Sequence, residues 1–302
     1  MSELYKHKSV LVEEVLEYLQ PQAGKVYVDT TFGGGGHTRA ILEKEPGCRV
    51  IGIDWDPAAL QQGQNLQQIY GERLELWSGN FAKILMLMKK FKIPKVDGVL
   101  ADFGTSQNQI FTASGFSVHR DSFLDMRMSS GHYRVNAAEV VNKATESELA
   151  QIFFELGEET AARKIAKVIA AERKIKPIKT TGQLVDLVIK VKGPQRGPIH
   201  PATKVFQALR MYVNHELENI SSFLHVVDKI LQPGGRVVCI SFHSLEDRLV
   251  KHFFKEANQV KKGQFEILTS KPVTASIAEL QSNPSARSAR LRAAIYNGSS
   301  IF

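Results

Sequence analysis

Val28-Asp29-Thr30-Thr31-Phe32-Gly33-Gly34-Gly35-Gly36-His37 joins an apolar run, Val26-Tyr27-Val28, to a stretch of helical spacing, Thr38-Arg39-Ala40-Ile41-Leu42. The order is strand, glycine-rich turn, helix. Glycine takes positive φ without steric cost and lets a ligand approach the main chain. Such a turn also leaves backbone N–H groups unpaired at the start of the next helix, where they hold polar or anionic groups. A second apolar run, Arg49-Val50-Ile51-Gly52-Ile53, ends in Asp54. A carboxylate at that place takes both hydroxyls of a ribose. The chain thus opens as a fold for a nucleoside-bearing cofactor.

The dinucleotide fingerprint G-x-G-x-x-G, begun at Gly33, requires a glycine-like residue at position 38. Thr38 stands there. Asp29, acidic where the loop opens, suits S-adenosylmethionine better, because that molecule carries an ammonium and a sulfonium. We expect S-adenosylmethionine, with a dinucleotide as the alternative. A glycine turn without a ligand is disfavoured, because each of the consecutive glycines loses more backbone entropy on folding than any other residue.

The 302 residues suffice for one large or two medium domains. Hydrophobic residues make up 43% and charged residues 23%, an ordinary balance for a globular chain. No apolar run approaches a membrane span. Met1-Ser2-Glu3-Leu4-Tyr5-Lys6 lacks a signal-peptide core, so the expected compartment is the cytoplasm. Cys48 and Cys239 each sit in or beside an apolar run and read as buried thiols; no disulfide and no metal site is expected. The net charge of +8 points to a polyanionic partner, most simply nucleic acid. Eleven Lys or Arg lie from Arg163 to Lys204, Lys167, Arg173 and Lys176 among them, against only Glu172 and Asp186. This segment carries the whole basic excess.

Past Asp54, Pro57-Ala58-Ala59-Leu60 opens a helix, and 74–78 reads as a third strand. Gly79-Asn80-Phe81 turns into an amphipathic helix ending near Phe91, and 96–102 is a fourth strand ending in Asp102. Strands alternating with helices imply an α/β fold with a doubly wound parallel sheet. Ligands of such sheets bind at the carboxyl ends of the strands, and Asp29, Asp54, Phe81 and Asp102 all fall at or just beyond those ends. The rhythm then breaks. From about Gln109 to Pro201 no clear strand occurs, and helical patterns cover 136–142, 147–156, 160–174 and 181–192, the last capped by Thr180 or Thr181. A long helix at 203–231, a fifth strand at 236–241 and two final strands within 264–272 and 290–296 resume the pattern. The expected organisation is a first sheet part at 1–108, an inserted all-helical domain at 109–201 that carries the basic segment, and a second sheet part at 202–302.

A series of specific runs follows along nearly the whole chain. They begin with His7, Val10-Leu11, the Asp29 to His37 loop and Gly52-Ile53-Asp54-Trp55-Asp56-Pro57, then Asn80-Phe81 and Asp102-Phe103-Gly104. Leu124-Asp125-Met126-Arg127-Met128, Gly157-Glu158-Glu159, His200-Pro201-Ala202-Thr203, Phe206-Gln207-Ala208-Leu209-Arg210 and Val213-Asn214-His215-Glu216-Leu217 come next. Ser241-Phe242-His243-Ser244-Leu245-Glu246-Asp247-Arg248 and Asn283-Pro284 with Arg287-Ser288-Ala289 end the series. In these runs the chain resembles the bacterial methyltransferases that modify the N4 amine of a cytidine in small-subunit (16S) ribosomal RNA. The resemblance implies a Rossmann-like S-adenosylmethionine-dependent methyltransferase sheet interrupted by a helical substrate-recognition domain. It implies cofactor contacts by Gly35, Gly36, His37, Asp54, Phe81, Asp102 and Gln109. It implies small-subunit ribosomal RNA or the small subunit itself as partner, with the oligomeric state, dimer included, left open. The chain departs from the family at Thr105-Ser106-Gln107, Phe111, Ser114 and Lys204, where serines, aspartate, arginine and arginine are usual. These departures bear on RNA contact more than on the cofactor.

The chemistry so implied is demanding, because the lone pair of a cytosine amine is delocalised into the ring. A site must accept the amine's N–H groups and hold nitrogen in line with the methyl carbon; positioning supplies up to roughly 7–11 kcal/mol. Asp102 is the candidate catalytic group, against the alternative of a carboxylate capping a loop. His37 reads as a loop residue beside the cofactor rather than as a base. His243 is either a substrate contact or structural, Trp55 either covers adenine or packs, and Asp125 and Arg127 either pair or reach the substrate. Arg163, Lys167, Arg173, His200 and Lys204 complete the candidate RNA contacts, gripping phosphates while the target base leaves its stack. Competing readings are a methyltransferase acting on another nucleic acid or on protein, and a non-catalytic RNA-binding ribosome assembly factor. The intact Asp29, Gly35, Gly36, Asp54 and Asp102 argue against the last.

Overall fold

The structure, a computed structural model, describes residues 8–104, 114–260 and 263–298. The chain divides into two compact units, Met1–Gly104 with Leu217–Phe302, and Thr105–Glu216. The strands are β1 (Val26–Asp29), β2 (Arg49–Asp54), β3 (Leu74–Ser78), β4 (Val96–Asp102), β5 (Leu231–Ser241), β6 (Phe265–Ile267) and β7 (Arg290–Tyr296). The described helices begin with α1 (Val12–Leu19), α2 (Gly36–Lys44), α3 (Pro57–Tyr70), α4 (Ile84–Lys90), α5 (Ala137–Lys143), α6 (Glu146–Glu155) and α7 (Ala162–Glu172). They continue with α8 (Thr181–Lys192), α9 (Thr203–Val213), α10 (Glu216–Leu224), α11 (Val227–Ile230), α12 (Ser244–Val260) and α13 (Ile277–Ser282). No described helix is long and apolar enough to cross a membrane.

The first unit is built on a sheet of order β3-β2-β1-β4-β5-β7-β6. β1 to β5 pair in parallel, and β7 runs antiparallel to both β5 and β6. Successive side chains alternate between two buried cores. Val99 and Ala101 of β4 and Val237 and Cys239 of β5 face one core, which holds Ile84, Phe223 and Phe254. Leu100, Val238 and Ile240 face the other, with Leu19 of α1 and Ile41 of α2. A parallel sheet covered on both faces demands such near-continuous apolar strands. The chain order reverses between β1 and β4, which pair at Tyr27–Gly98 through Asp29–Leu100. Cys48 and Cys239 are buried free thiols, and burial pushes the Cys48 pKa up to about 11.

One ring explains several of the glycines. Phe32 is buried, and a Cβ at Gly35, Gly52 or Gly63 would stand 2.7, 2.5 or 2.6 Å from its ring atoms. The glycine loop therefore opens its backbone to a side chain of its own as well as to any ligand.

The second unit is all-helical. Its core joins Leu124 and Met126 to the buried faces of α5 to α9. Capping boxes start α5 (Asn136 with Glu139), α6 (Thr145 with Glu148) and α8 (Thr180 with Gln183). Each reciprocally satisfies two N–H groups that a helix start leaves unpaired. Among its described residues the only β pairing is the isolated bridge Phe123–Thr180.

Two expectations change here. The long helix at 203–231 is three helices, α9 to α11, broken first at Asn214–His215, where His215 has φ 49°. Asn214 is fully buried, accepts from Met128 N at 2.7 Å and donates to Met126 O at 2.8 Å. These bonds commit its side chain to the Met126 loop. The compact unit also runs to Glu216 rather than ending at 201, because α9 buries Val205, Phe206 and Leu209 in the helical core.

Gly63 lies inside α3, where helix propensity alone favours Ala over Gly by about 1 kcal/mol. Here the Phe32 ring, already confined by Gly35 and Gly52, blocks the added methyl. Gly63→Ala should therefore lower stability, by about 1–3 kcal/mol as for overpacked cores. Adding Phe32→Leu should recover part of the loss in the same urea titration. A Gly63→Ala protein as stable as the parent would refute the wedge.

Candidate active site

Three carboxylates gather at the carboxyl ends of β1, β2 and β4, and their surroundings differ. Asp29 is 1% exposed; Oδ2 accepts from Thr38 Oγ1 at 2.8 Å and Oδ1 from Thr31 N at 3.2 Å. Burial raises its pKa, while His37 and Thr38 oppose the rise. Asp29 thus braces the loop from inside. Thr38, the misfit in the dinucleotide fingerprint, is its donor.

Asp54 is half-buried. Oδ2 accepts from Gly33 N and Oδ1 from Asp56 N, both at 2.8 Å, and burial pushes its pKa up to about 6. Each oxygen keeps a second lone pair, so the group can still receive a pair of hydroxyls.

Asp102 differs from both. Its backbone N–H donates to Thr31 Oγ1 at 2.7 Å, which seats the end of β4 on the loop after β1. Its side chain is 18% exposed, yet Oδ1 is buried without a hydrogen-bond partner among the described residues, and Oδ2 lies 3.8 Å from His37 Nδ1. Burial, with Asp29 and Glu246 adding repulsion and His37 opposing, pushes its pKa up to about 7. A buried acceptor atom left unsatisfied is costly. Oδ1 fits a ligand that brings an N–H donor or positive charge.

His37 sits in the first turn of α2, 5% exposed, with Nε2 2.8 Å from Val10 O. A carbonyl only accepts, so Nε2 carries the proton and Nδ1 faces Asp102. Gly35 caps α2 with φ 73°, and a Cβ at Gly36 would stand 2.2 Å from Ser9 Oγ. Phe81 is half-buried beside Phe103 and Phe223, with ring centroids 5.8 and 6.0 Å away. Asn80 caps the turn at Phe81 by accepting from Ala82 N and donates to Asn219. His243 Nε2 lies 3.0 Å from Glu246 Oε1 without hydrogen-bond alignment, and Glu246 Oε2 accepts from Phe242 N at 2.8 Å. Gln109, like His7, Thr105-Ser106-Gln107 and Phe111, lies outside the described residues.

In the helical unit the candidates do not converge. Asp125 and Arg127 pair with each other through two bonds of 2.6 and 3.0 Å, and Arg127 also reaches Tyr133 O at 3.2 Å. Arg163 and Lys167 stand exposed on α7. Arg173 donates to Val141 O at 2.7 Å, and Lys204 to Glu158 O at 2.8 Å. Each of the two therefore braces a carbonyl. His200 Nδ1 accepts from Ala202 N at 3.1 Å, its ring meets His119 edge-on at 5.4 Å, and burial lowers its pKa.

Sequence reasoning missed the buried Glu246 beside His243. It also missed an exposed basic stripe on α12 of the sheet unit, Arg248, Lys251 and Lys255. The signal was present as spacing i, i+3, i+7, which places side chains on one helix face.

The geometry is that of a sheet whose ligand space lies at a topological switch point, lined by acceptors and a helix start. A family model, described as the MraW methylase family, matches residues 4–296. The chain is 45% identical over 304 residues to "Ribosomal RNA small subunit methyltransferase H" of Rhodopseudomonas palustris, covering 96% of this chain and 91% of that protein. It is 47% identical over 295 residues to the protein of the same name from Kosmotoga olearia, covering 95% and 96%. Among solved structures, a putative rRNA methylase from Clostridium thermocellum aligns with TM-score 0.45 at 14% identity over 94% of each chain. With a family model spanning nearly all of its length and relatives of this identity, the chain belongs to the MraW methylase family and is a methyltransferase that uses S-adenosylmethionine.

Proposed function

We propose that this enzyme methylates the N4 amine of a cytidine in small-subunit ribosomal RNA, free or within the subunit, with Asp102 as the group that receives the amine's hydrogen. The observation that carries the reading is the buried, unpartnered Oδ1 of Asp102 beside the switch point. The RNA class is supported by the name of the relatives.

Gly35, Gly36 and His37 at the start of α2, Asp54 toward ribose, Phe81, Asp102 and Gln109 would hold S-adenosylmethionine. That cofactor supplies an electrophilic methyl group when bound. The protein's part is positioning and proton handling. Asp102, as carboxylate, accepts an N–H of the amine and so raises electron density on the nitrogen. As the N–C bond forms, the nitrogen must shed a proton. A carboxyl poised near 7 receives it at little cost, and His37 Nδ1 stands 3.8 Å away. Arg163, Lys167, Arg173, His200 and Lys204 of the helical unit grip the RNA, with Asp125, Arg127 and His243 as further contacts.

Asp102→Asn removes the acceptor charge and should lower kcat by about 10²-fold or more. Activity of the parent should rise through about pH 7 as Asp102 ionises, and this acid limb should vanish in the variant. Stability should move oppositely. The folded pKa lies above the unfolded value of about 3.9, so the burial penalty is absent below about pH 4 and complete above 7. The variant should therefore melt higher than the parent at pH 8. Full turnover with the parental pH profile would sink the catalytic assignment.

Reversing Arg163, Lys167 and Lys176 to Glu should weaken binding of a small-subunit ribosomal RNA fragment and lower its salt slope by about 2, at about 0.7 per lost phosphate contact. Calorimetry should show S-adenosylmethionine binding unchanged. An unaltered salt slope would remove these residues from the RNA interface.

A further inference from the structure

Asn283 and the residues just before it do nothing in the chemistry above, yet they are spent on an unusual task. Asn283 is 4% exposed, and its Nδ2 donates to Lys8 O at 3.0 Å and to Ser9 O at 3.4 Å. Glu279 of α13 accepts the N–H of Leu11 at 2.8 Å, and Ser282 Oγ accepts from Lys8 Nζ at 2.9 Å. Glu279, Ser282 and Asn283 thus hold the segment 8–11 through Lys8, Ser9 and Leu11.

The held segment, Lys8 to Leu11, lies on the start of α2. Ser9 Oγ occupies the space a Cβ would need at Gly36, and Val10 O meets His37 Nε2 at 2.8 Å. Leu11 is buried with φ 52°, a left-handed conformation that costs a non-glycine residue energy and persists only where the surroundings impose it. The Glu279 carboxylate supplies part of that imposition, at the start of α1, where the helix favours negative charge. Asp102 lies one contact further on, 3.8 Å from the other ring nitrogen of His37.

We propose that Asn283 and Glu279 are positioning residues for Asp102, holding the strap Lys8–Leu11 where the Val10 carbonyl fixes the His37 ring with Nε2 protonated and Nδ1 toward the carboxylate. The inference rests on the reading of Asp102 as proton acceptor, and it gives the strap a role in tuning that group. The groups facing Asp102 are His37, which lowers its pKa when the ring carries a proton on Nδ1 as well as on Nε2, and Asp29 and Glu246, which raise it. A His37 ring released from Val10 loses its fixed place beside Asp102 and with it the only opposing influence of the three. The acid limb of the rate should then move to higher pH.

The test combines imidazole ¹⁵N spectra of the full-length enzyme with pH profiles of kcat on ribosomal RNA. Asn283→Asp keeps the shape but cannot donate, Glu279→Ala loses the acceptor, and Glu279→Gln keeps it. In the parent and in Glu279→Gln, the His37 Nε2–H should give a single hydrogen-bonded signal, with the same acid limb. In Asn283→Asp and Glu279→Ala, that hydrogen-bonded signal should be lost and the limb displaced upward by about one pH unit, the size of a neighbouring-charge effect. Combining Asn283→Asp with His37→Gln should displace it no further than His37→Gln alone, as for residues acting through one group. If Asn283→Asp fails to fold, Glu279→Ala carries the same comparison with a single bond removed. A single hydrogen-bonded His37 Nε2–H in every variant, with an unmoved limb, would overturn the proposal. An acid limb that survives Asp102→Asn would instead overturn the reading of Asp102, while the His37 spectra would still decide whether the strap positions the ring.

Discussion

A carboxyl group held out of water at the end of β1 constrains the rest of the sheet unit. Asp29 is buried beyond the reach of solvent, so its oxygens must find donors within the fold. The loop after β1 curls back to present Thr31 N–H, and the first turn of α2 presents Thr38 Oγ1. Once the loop has that shape, Thr31 Oγ1 is placed to receive the Asp102 amide, and Gly33 N–H is placed to meet Asp54. The three strand ends are thereby tied to one another through a single loop. Asp29 also adds to the repulsion that keeps Asp102 near neutrality. Structure and reactivity at this end of the sheet have a common origin.

The glycines serve that arrangement in two different ways. Gly33 and Gly35 have positive φ, which the turn requires. Gly52 and Gly63 have no such requirement and are needed for their missing side chains, because Phe32 fills the space between β2, α3 and the loop. A rigid hydrophobic anchor under the loop keeps the backbone N–H groups above it fixed, which is the condition for binding a polar ligand without reordering.

Much of this was legible in the chain. The run 96–102 ends in a carboxylate after the apolar Val99-Leu100-Ala101, and that pattern located β4 and Asp102. A threonine cap at 180 or 181 announced α8, and the structure gives the cap to Thr180 with Gln183. What remained hidden depends on partners far apart in sequence, which leave no local period. Nothing near Asn214 reveals that its side chain serves Met126 and Met128, so the helix break there could not be read. Nothing near Arg173 reveals the Val141 carbonyl that one of its N–H groups caps. Asp29 is a further case: its donors, Thr31 N and Thr38 Oγ1, are local, but its burial is set by the whole loop.

The split of the sheet unit across the sequence has a consequence for the order in which the molecule can form during synthesis. β1 to β4 leave the ribosome first, but β5, which closes the edge of β4, and the clamp at Asn283 are made only after the entire helical unit. The helical unit is contiguous, rich in capped helices and short-range contacts, and such units fold quickly. The nascent chain therefore carries a finished helical body while β4 still exposes an unpaired edge, the state most prone to wrong pairing. Asp102 at the end of that strand gains its dry surroundings last, so its carboxyl is that of an ordinary exposed aspartate until β5 and α12 dock.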